Sequence, residues 1–247
     1  MTDDRVEFDE LKRRQSSEMH ADDAMQLNAR RFLVAADRHN WSYQWTWLGL
    51  PIIQLPSDIV AMQEVIWNSK PDLIIETGVA RGGSLILSAS LLQLLGRGHV
   101  LGIDNDIREH NRRAIESHPL ADRITLLEGS SIDEWIIAEV SRHAVQANRV
   151  MVVLDSNHTH DHVLSELLTY SPLVTVGQYL VVCDTIVEDL PRQDHRSRPW
   201  GPGNNPATAL KEFLHNRPEF KADREIDNKL LISSSPGGYL RRLQEDS

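Results

Sequence analysis

The 247-residue chain has one cysteine, no long apolar run and no excess of positive charge, and each of these absences closes off a class of function. A lone thiol, Cys183, can form neither an internal disulfide nor a Cys-x-x-Cys metal or redox pair, which fits a reducing compartment and leads us to expect a cytoplasmic protein. No stretch approaches the roughly 18 consecutive apolar residues of a membrane span. Met1 to Arg14 is charged where a signal peptide would be apolar, so neither export nor integral membrane association is expected. With 36 acidic against 26 basic residues the net charge is −10, so no nucleic acid partner is expected. Internal repeats and low-complexity tracts are also missing.

What is there suits one sizeable soluble domain. Hydrophobic residues make up 40% and charged residues 25%, and a chain of this size exposes about 11,000 Å² folded against about 41,000 Å² unfolded. From Arg5 to Arg38 scattered apolar positions in a polar background predict one or two weakly amphipathic helices. Trp41 to Pro56 (WSYQWTWLGLPIIQLP) is too irregular for a helix and too apolar for a free loop, so it must pack on something. Residues 1–56 therefore form an N-terminal helical and aromatic extension, and 57–247 the main domain. A helix over 57–69, with Ser57 as its N-cap and Asp58 in its first turn, opens that domain.

Short β-rich runs then alternate with helical ones. Strands are predicted at 73–76, 99–103, 123–127, 150–155 and 179–183, with helices near 83–95, 108–117, 132–145 and 160–170. Such alternation means an α/β fold whose mostly parallel central sheet is covered by helices on both faces. A Pro/Gly-rich loop at 198–206, a helix to about Asn216 and a last strand at 230–233 (LLIS) complete the reading.

The first of these strands ends in Glu76 and runs through Thr77, Gly78, Val79, Ala80, Arg81, Gly82, Gly83 and Ser84 into an apolar helix. A strand, a glycine turn and the unpaired amides of a helix start together make a nucleotide-like ligand site. Asp104 ends the next strand 21 residues beyond Gly83, the spacing at which a carboxylate accepts hydrogen bonds from ribose hydroxyls. The loop is G-x-x-x-G-G and not the dinucleotide pattern G-x-G-x-x-G, and an acidic strand end suits a ligand with an ammonium group, as S-adenosylmethionine (SAM) has. Ser130 and Ser131, after the third strand, are placed near the adenine; a helix N-cap is the other reading of Ser130, Ser131 and Asp133.

The remaining strand ends bring Asp155 and Asp184 to the same crevice as Glu76 and Asp104, and four carboxylates there call for a shared cation, with Mg²⁺ or another hard divalent ion favoured by oxygen ligands. His158, three residues after Asp155, could take a hydroxyl proton near neutral pH. His160 and His162 read as polar residues of a first helical turn, although the H-T-H-D-H run leaves a dinuclear metallohydrolase open. Tyr43, Trp45, Trp47 and Trp200 either stack on a sugar or cover the crevice, or they only seal the core or a subunit contact.

Several separated blocks, WLGLPIIQLPSDIVAMQEVIW, KPDLIIETGVARGGS, LGIDNDIR, LLEGSSID, VLDSNHTHDHVLSEL and RPWGPGNNP, resemble the cephalosporin hydroxylase family over roughly residues 41–233. This resemblance implies a Rossmann-like class I methyltransferase fold and a SAM-dependent O-methyltransferase acting on a rhamnosyl-type hydroxyl of a glycolipid or other natural product. The glycine loop and the strand ends put the expected cofactor contacts at Glu76, Gly78, Ala80, Arg81, Gly82, Gly83, Ser84, Asp104, Ser130, Ser131 and Asp155; the resemblance supplies the rest. The metal set falls on Asp155, Cys183 and Asp184, and the catalytic residues are Asp155 and His158, the latter as general base. Cys183 stands where the family has a glutamate, a soft sulfur that Mg²⁺ does not favour. That departure leaves a second reading, a SAM-binding accessory protein with weak catalysis. A homo-oligomer is expected from the charged extension and the tryptophan segment.

Overall fold

Runs such as LIIET and VMVVL are apolar on both faces of the pleat, which is what strands covered by helices on each side require. The computed structural model describes residues 4–192 and 197–244. The outer limits of the two expected segments, Met1 and Ser247, lie outside the described residues. Two helices come first, α1 (Arg5–His20) and α2 (Asp23–Asp37), followed by a short antiparallel hairpin of β1 (Trp45–Trp47) and β2 (Leu50–Ile52). The main sheet and its helices then run α3 (Pro56–Ser69), β3 (Leu73–Thr77), α4 (Gly83–Leu94), β4 (His99–Asp104), α5 (Glu109–Glu116), β5 (Ile124–Glu128), α6 (Glu134–Ala144), β6 (Val150–Leu154), α7 (His160–Tyr170) and β7 (Tyr179–Val182). The chain closes with α8 (Pro206–His215), β8 (Phe220–Ala222), α9 (Arg224–Asp227) and β9 (Tyr239–Arg242).

The sheet order is β5-β4-β3-β6-β7-β9-β8, parallel through β7 and antiparallel at β9 and β8. It is the α/β sheet, mostly parallel and covered on both faces, that the alternation of strands and helices predicts. Alternation along each strand divides the core in two. Ile74, Met151, Val153 and Val181 face a layer built on α3 and α4, with Ala61, Val65, Leu85 and Leu92. Ile75, Val152, Leu154 and Leu180 face α6, α7 and α8, through Ile136, Val140, Leu167 and Phe213. The chain moves outward from β3 to β5, then returns to β6 on the other side of β3. The carboxyl ends of β3 and β6 therefore flank a topological switch point, where open α/β sheets bind ligands.

Three expectations are corrected. Residues 230–233 form no strand. The closing strands are instead β8 and β9, with Tyr239 and Leu240 buried, because Ser233 and Ser234 are drawn into hydrogen bonds with Asp58 of α3. Ser57 is not a cap: Leu55 holds the N-cap position, Pro56 supplies the first helical residue, and the Ser57 hydroxyl donates to the Ile232 carbonyl. Asp133 does hold the N-cap position of α6 but makes no side-chain cap bond, accepting instead from the Ser130 amide at 3.3 Å.

The aromatic segment packs as expected. Trp47 Nε1 donates to Ser90 Oγ on α4 at 3.1 Å, and Trp41 sits edge-on between Phe32 of α2 and Trp45, at centroid distances of 5.4 and 6.2 Å. Among the described residues no helix is long and apolar enough to cross a membrane.

Candidate active site

Ladder bonds continue one step past the strand ends and carry the polar residues up to the edge of the sheet. The Gly78 amide donates to Ile103 O (2.7 Å), Asp155 N to Thr77 O (2.9 Å) and Cys183 N to Leu154 O (3.0 Å). Above this edge lies a cavity of about 710 Å³. Of the expected site residues, Gly78, Ala80, Asp104, Ser130, Ser131, Asp155, His158, Cys183 and Asp184 line it.

Glu76, Arg81, Gly82, Gly83 and Ser84 do not, and packing explains why the glycines are there. A Cβ on Gly83 would meet the Pro51 carbonyl at 2.3 Å, and one on Gly82 would meet Ile115 at 2.5 Å, so these two let the hairpin and α5 close on the start of α4. Gly78, at φ 97°, has the Asp155 carbonyl where its Cβ would be, 2.1 Å away. Arg81 is exposed to solvent. Ala80, in the left-handed region at φ 45°, faces the cavity together with Gly78.

Asp104 holds this turn in place. Its Oδ2 accepts from the amides of Val79 (2.8 Å) and Ala80 (3.0 Å), and its Oδ1 from Asp106 N (3.2 Å). The Asn111 side chain donates to Ala80 O at 2.8 Å from the other side. Glu76 lies buried below the turn; burial pushes its carboxyl up to about 7 against the pull of the Ser84 hydroxyl, and its Oε1 has no partner.

Asp155, His158 and Asp184 converge, with one donor atom from each within 4.8 Å of the others. His158 Nδ1 is 3.0 Å from Asp184 Oδ2, and its Nε2 is 4.0 Å from Asp155 Oδ1. Asp184 is set at φ 56°, a strained position for a residue other than glycine and one that aims its carboxylate back at the ring. Burial opposes charge on His158, but the Asp184 carboxylate, by charge and hydrogen bond, and then Asp155 outweigh it and raise the imidazole pKa. Burial, followed by the Asp184 charge, lifts the Asp155 carboxyl well above the usual range. Cys183 lines the same wall but is not part of this convergent group, and burial reinforced by the Asp155 and Asp184 charges keeps its thiol protonated.

The Pro/Gly-rich loop covers this cluster. Trp200 packs on His158 with centroids 4.9 Å apart, and the Arg198 guanidinium lies over the Trp200 ring, 5.2 Å from its centroid, while donating to Tyr43 Oη at 3.2 Å. Fully buried Asn205 fixes the loop, donating to Gly201 O (2.9 Å) and to Glu188 and capping α8. The neighbouring Asn204 Oδ1 accepts from the first amide of α7, at His160.

His160 and His162 do occupy the first turn of α7, yet they part company. His160 Nδ1 reaches Thr208 Oγ1 on α8 (2.9 Å), and neither His160 nor His162 joins His158 in its metal-capable group, so the metallohydrolase reading has no geometry behind it. His162 turns to the cavity wall beside Ser131 and Ser156. Gln54, Asp58, Ser156, Ser233, Ser234 and Tyr239 also line the cavity and were not foreseen. Only Ser156, directly after a strand-end aspartate, carried a local signal.

With this geometry in view, relatives are informative. A family model described as Rhamnosyl O-methyltransferase/CmcI matches residues 39–243. The chain is 31% identical over 218 residues to the Rhamnosyl O-methyltransferase of Mycobacterium tuberculosis (strain ATCC 25618 / H37Rv), covering 85% of each. It is 27% identical over 221 residues to that of Mycobacterium leprae (strain TN), covering 85% of this chain and 90% of the relative. Among solved structures, "cmcI-D160 Mg-SAM" superposes with a TM-score of 0.57 at 21% identity, over 82% of this chain and 78% of that one. A putative caffeoyl-CoA O-methyltransferase from Staphylococcus aureus gives 0.51 at 13% identity, over 78% and 91%; at such identities these two speak for the fold. The match across nearly the whole cavity-bearing domain shows that the chain belongs to the rhamnosyl O-methyltransferase/CmcI family, and that it is a SAM-dependent O-methyltransferase.

Proposed function

We propose that the acceptor is a sugar hydroxyl of the rhamnosyl kind on a glycolipid or related natural product, and that His158 is the general base that deprotonates it. The observation that carries this reading is the His158–Asp184 pair on the wall of the cavity that also holds the Gly78–Ala80 turn. The cavity volume, the left-handed Ala80 turn pinned by Asp104, and the polar wall of Ser130 and Ser131 fit the cofactor. Bound there, SAM supplies a methyl group on a positively charged sulfur, a carbon open to in-line attack.

The chain's own residues do the rest. The turn and Asp104 hold the nucleoside end, Asp104 Oδ1 accepting only the Asp106 amide and so having a lone pair left for a ribose hydroxyl. Asp184 accepts from His158 Nδ1–H, which fixes the tautomer and leaves Nε2 to take the acceptor proton. Trp200 covers His158 and narrows the access of water to it. A divalent cation suits the cluster, since burial and then the neighbouring Asp184 charge raise the Asp155 carboxyl pKa, and a positive charge held there offsets both. Asp155 and Asp184 would hold it, and it would make the hydroxyl more acidic. The neutral Cys183 thiol adds little to a hard ion, so the site is weaker than one with a third carboxylate. Exposed Val6, Phe8 and Phe32 on α1 and α2 support self-association, which size-exclusion chromatography with light scattering tests.

The test of function is incubation with labelled SAM and a rhamnoside acceptor, with and without Mg²⁺ or Mn²⁺, followed by mass spectrometry. A gain of one methyl on the sugar is expected; binding of S-adenosylhomocysteine (SAH) without transfer to any glycoside would favour the accessory role.

A further inference from the structure

Beside the cluster of Asp155, His158 and Asp184, a chain of polar groups runs from the core to the same cavity. Glu166 is fully buried in α7 among Val163, Leu167 and Tyr170, and its Oε2 has no partner. Its Oε1 accepts from Ser156 Oγ at 2.7 Å and lies 3.5 Å from His162 Nε2, one helical turn earlier. The same nitrogen is 3.1 Å from Ser131 Oγ and 3.3 Å from Ser156 Oγ. Tyr170 Oη, another turn along α7, donates to the Ser131 carbonyl at 2.5 Å. A carboxyl group in a helical face otherwise given to the core costs stability, so a function beyond packing is called for.

The direction of the bonds supplies one. A carboxylate only accepts, so Ser156 donates to it, and the nitrogen surrounded by Glu166, Ser156 and Ser131 oxygens is the one that carries the hydrogen. Ser131 Oγ then accepts from His162, and its own proton is left for the cavity that it lines. We propose that Glu166, His162 and Ser131 form a relay that fixes the Ser131 hydroxyl as a donor to one ring nitrogen of the cofactor's adenine, with His162 and Glu166 as positioning residues. This rests on the cavity being the SAM pocket.

Calorimetry with SAH and with its 1-deaza, 3-deaza and 7-deaza analogues tests it on the intact protein. One analogue should bind wild type at least tenfold more weakly than SAH. In Ser131→Ala and in His162→Phe that analogue and SAH should bind within twofold of each other, a loss of discrimination that a merely structural role would not produce. Equal binding of all four ligands by wild type, or a preference that survives in Ser131→Ala, overturns the relay while leaving the pocket in place. Absence of any SAH binding overturns the pocket and the relay together.

Discussion

The 3.0 Å separation between His158 Nδ1 and Asp184 Oδ2 fixes which nitrogen of the imidazole faces the carboxylate. Asp184 takes the Nδ1 hydrogen, and in the proposed mechanism Nε2 is the atom that serves as base. Asn tolerates the left-handed backbone at this position but can donate where the carboxylate only accepts. Asp184→Asn and His158→Ala should therefore each lower kcat by about 10²- to 10⁴-fold. SAH affinity should stay within twofold of wild type in both. Full turnover in the two variants, measured beside SAH calorimetry, would remove His158 from the mechanism.

A second prediction concerns Cys183. Its buried, protonated thiol lines the cavity next to Asp184, where a carboxylate would add a third hard oxygen to the cluster. Cys183→Glu should tighten Mg²⁺ binding at least tenfold in calorimetric titrations with SAH present. Unchanged Mg²⁺ affinity would mean that the ion, if any, is held away from Asp155 and Asp184.

How far these features could be seen in the sequence differs from one to the next. Strands β3, β4, β6 and β7 announce themselves because burial on both faces leaves almost no polar residue in them, and the acidic residue that ends such a run is visible for the same reason. Asp104, Asp155 and Asp184 are of this kind. β8 and β9 are short, and β9 joins the sheet through β7, far earlier in the sequence, with β8 at the edge beyond it, whereas the more apolar run at 230–233 is held as a loop by Asp58. The glycines were legible as a turn but not in purpose. The atoms that demand Gly82 and Gly83 belong to Ile115 and Pro51, about thirty residues to either side, so a pattern local to the loop assigns them to a ligand. His162 looks like any polar residue of a first turn until the fold brings Ser131 against it.

Packing at Gly83 gives a third prediction. An added methyl meets the Pro51 carbonyl, which is backbone and cannot rotate away, and overpacking of this kind costs about 1–3 kcal/mol. Gly83→Ala should lower Tm by roughly 2–4 °C for each kcal/mol lost, with SAH affinity little changed because the residue is off the cavity. Gly78→Ala pushes on the Asp155 carbonyl and should cost activity as well as stability. Equal Tm for Gly83→Ala and wild type in calorimetric scans would contradict the close approach of hairpin and helix.

The last prediction is a pH dependence of stability that originates in Glu76. Burial raises its carboxyl from 4.5 to about 7 in the folded protein, so between these values the native state binds the proton that the unfolded chain has released. By linkage, stability then falls as pH rises across that window: the protonated carboxyl is tolerated below 4.5, and the full cost of a buried anion is present above about 7. The gap corresponds to about 3 kcal/mol. Glu76→Gln keeps the shape and removes the titration. It should unfold at the same urea concentration as wild type or a lower one at pH 5, and at a clearly higher one at pH 8. If the two proteins instead lose stability in parallel from pH 5 to pH 8, the falling stability has another origin, and Glu76 is ionised in the fold with a partner that offsets its burial.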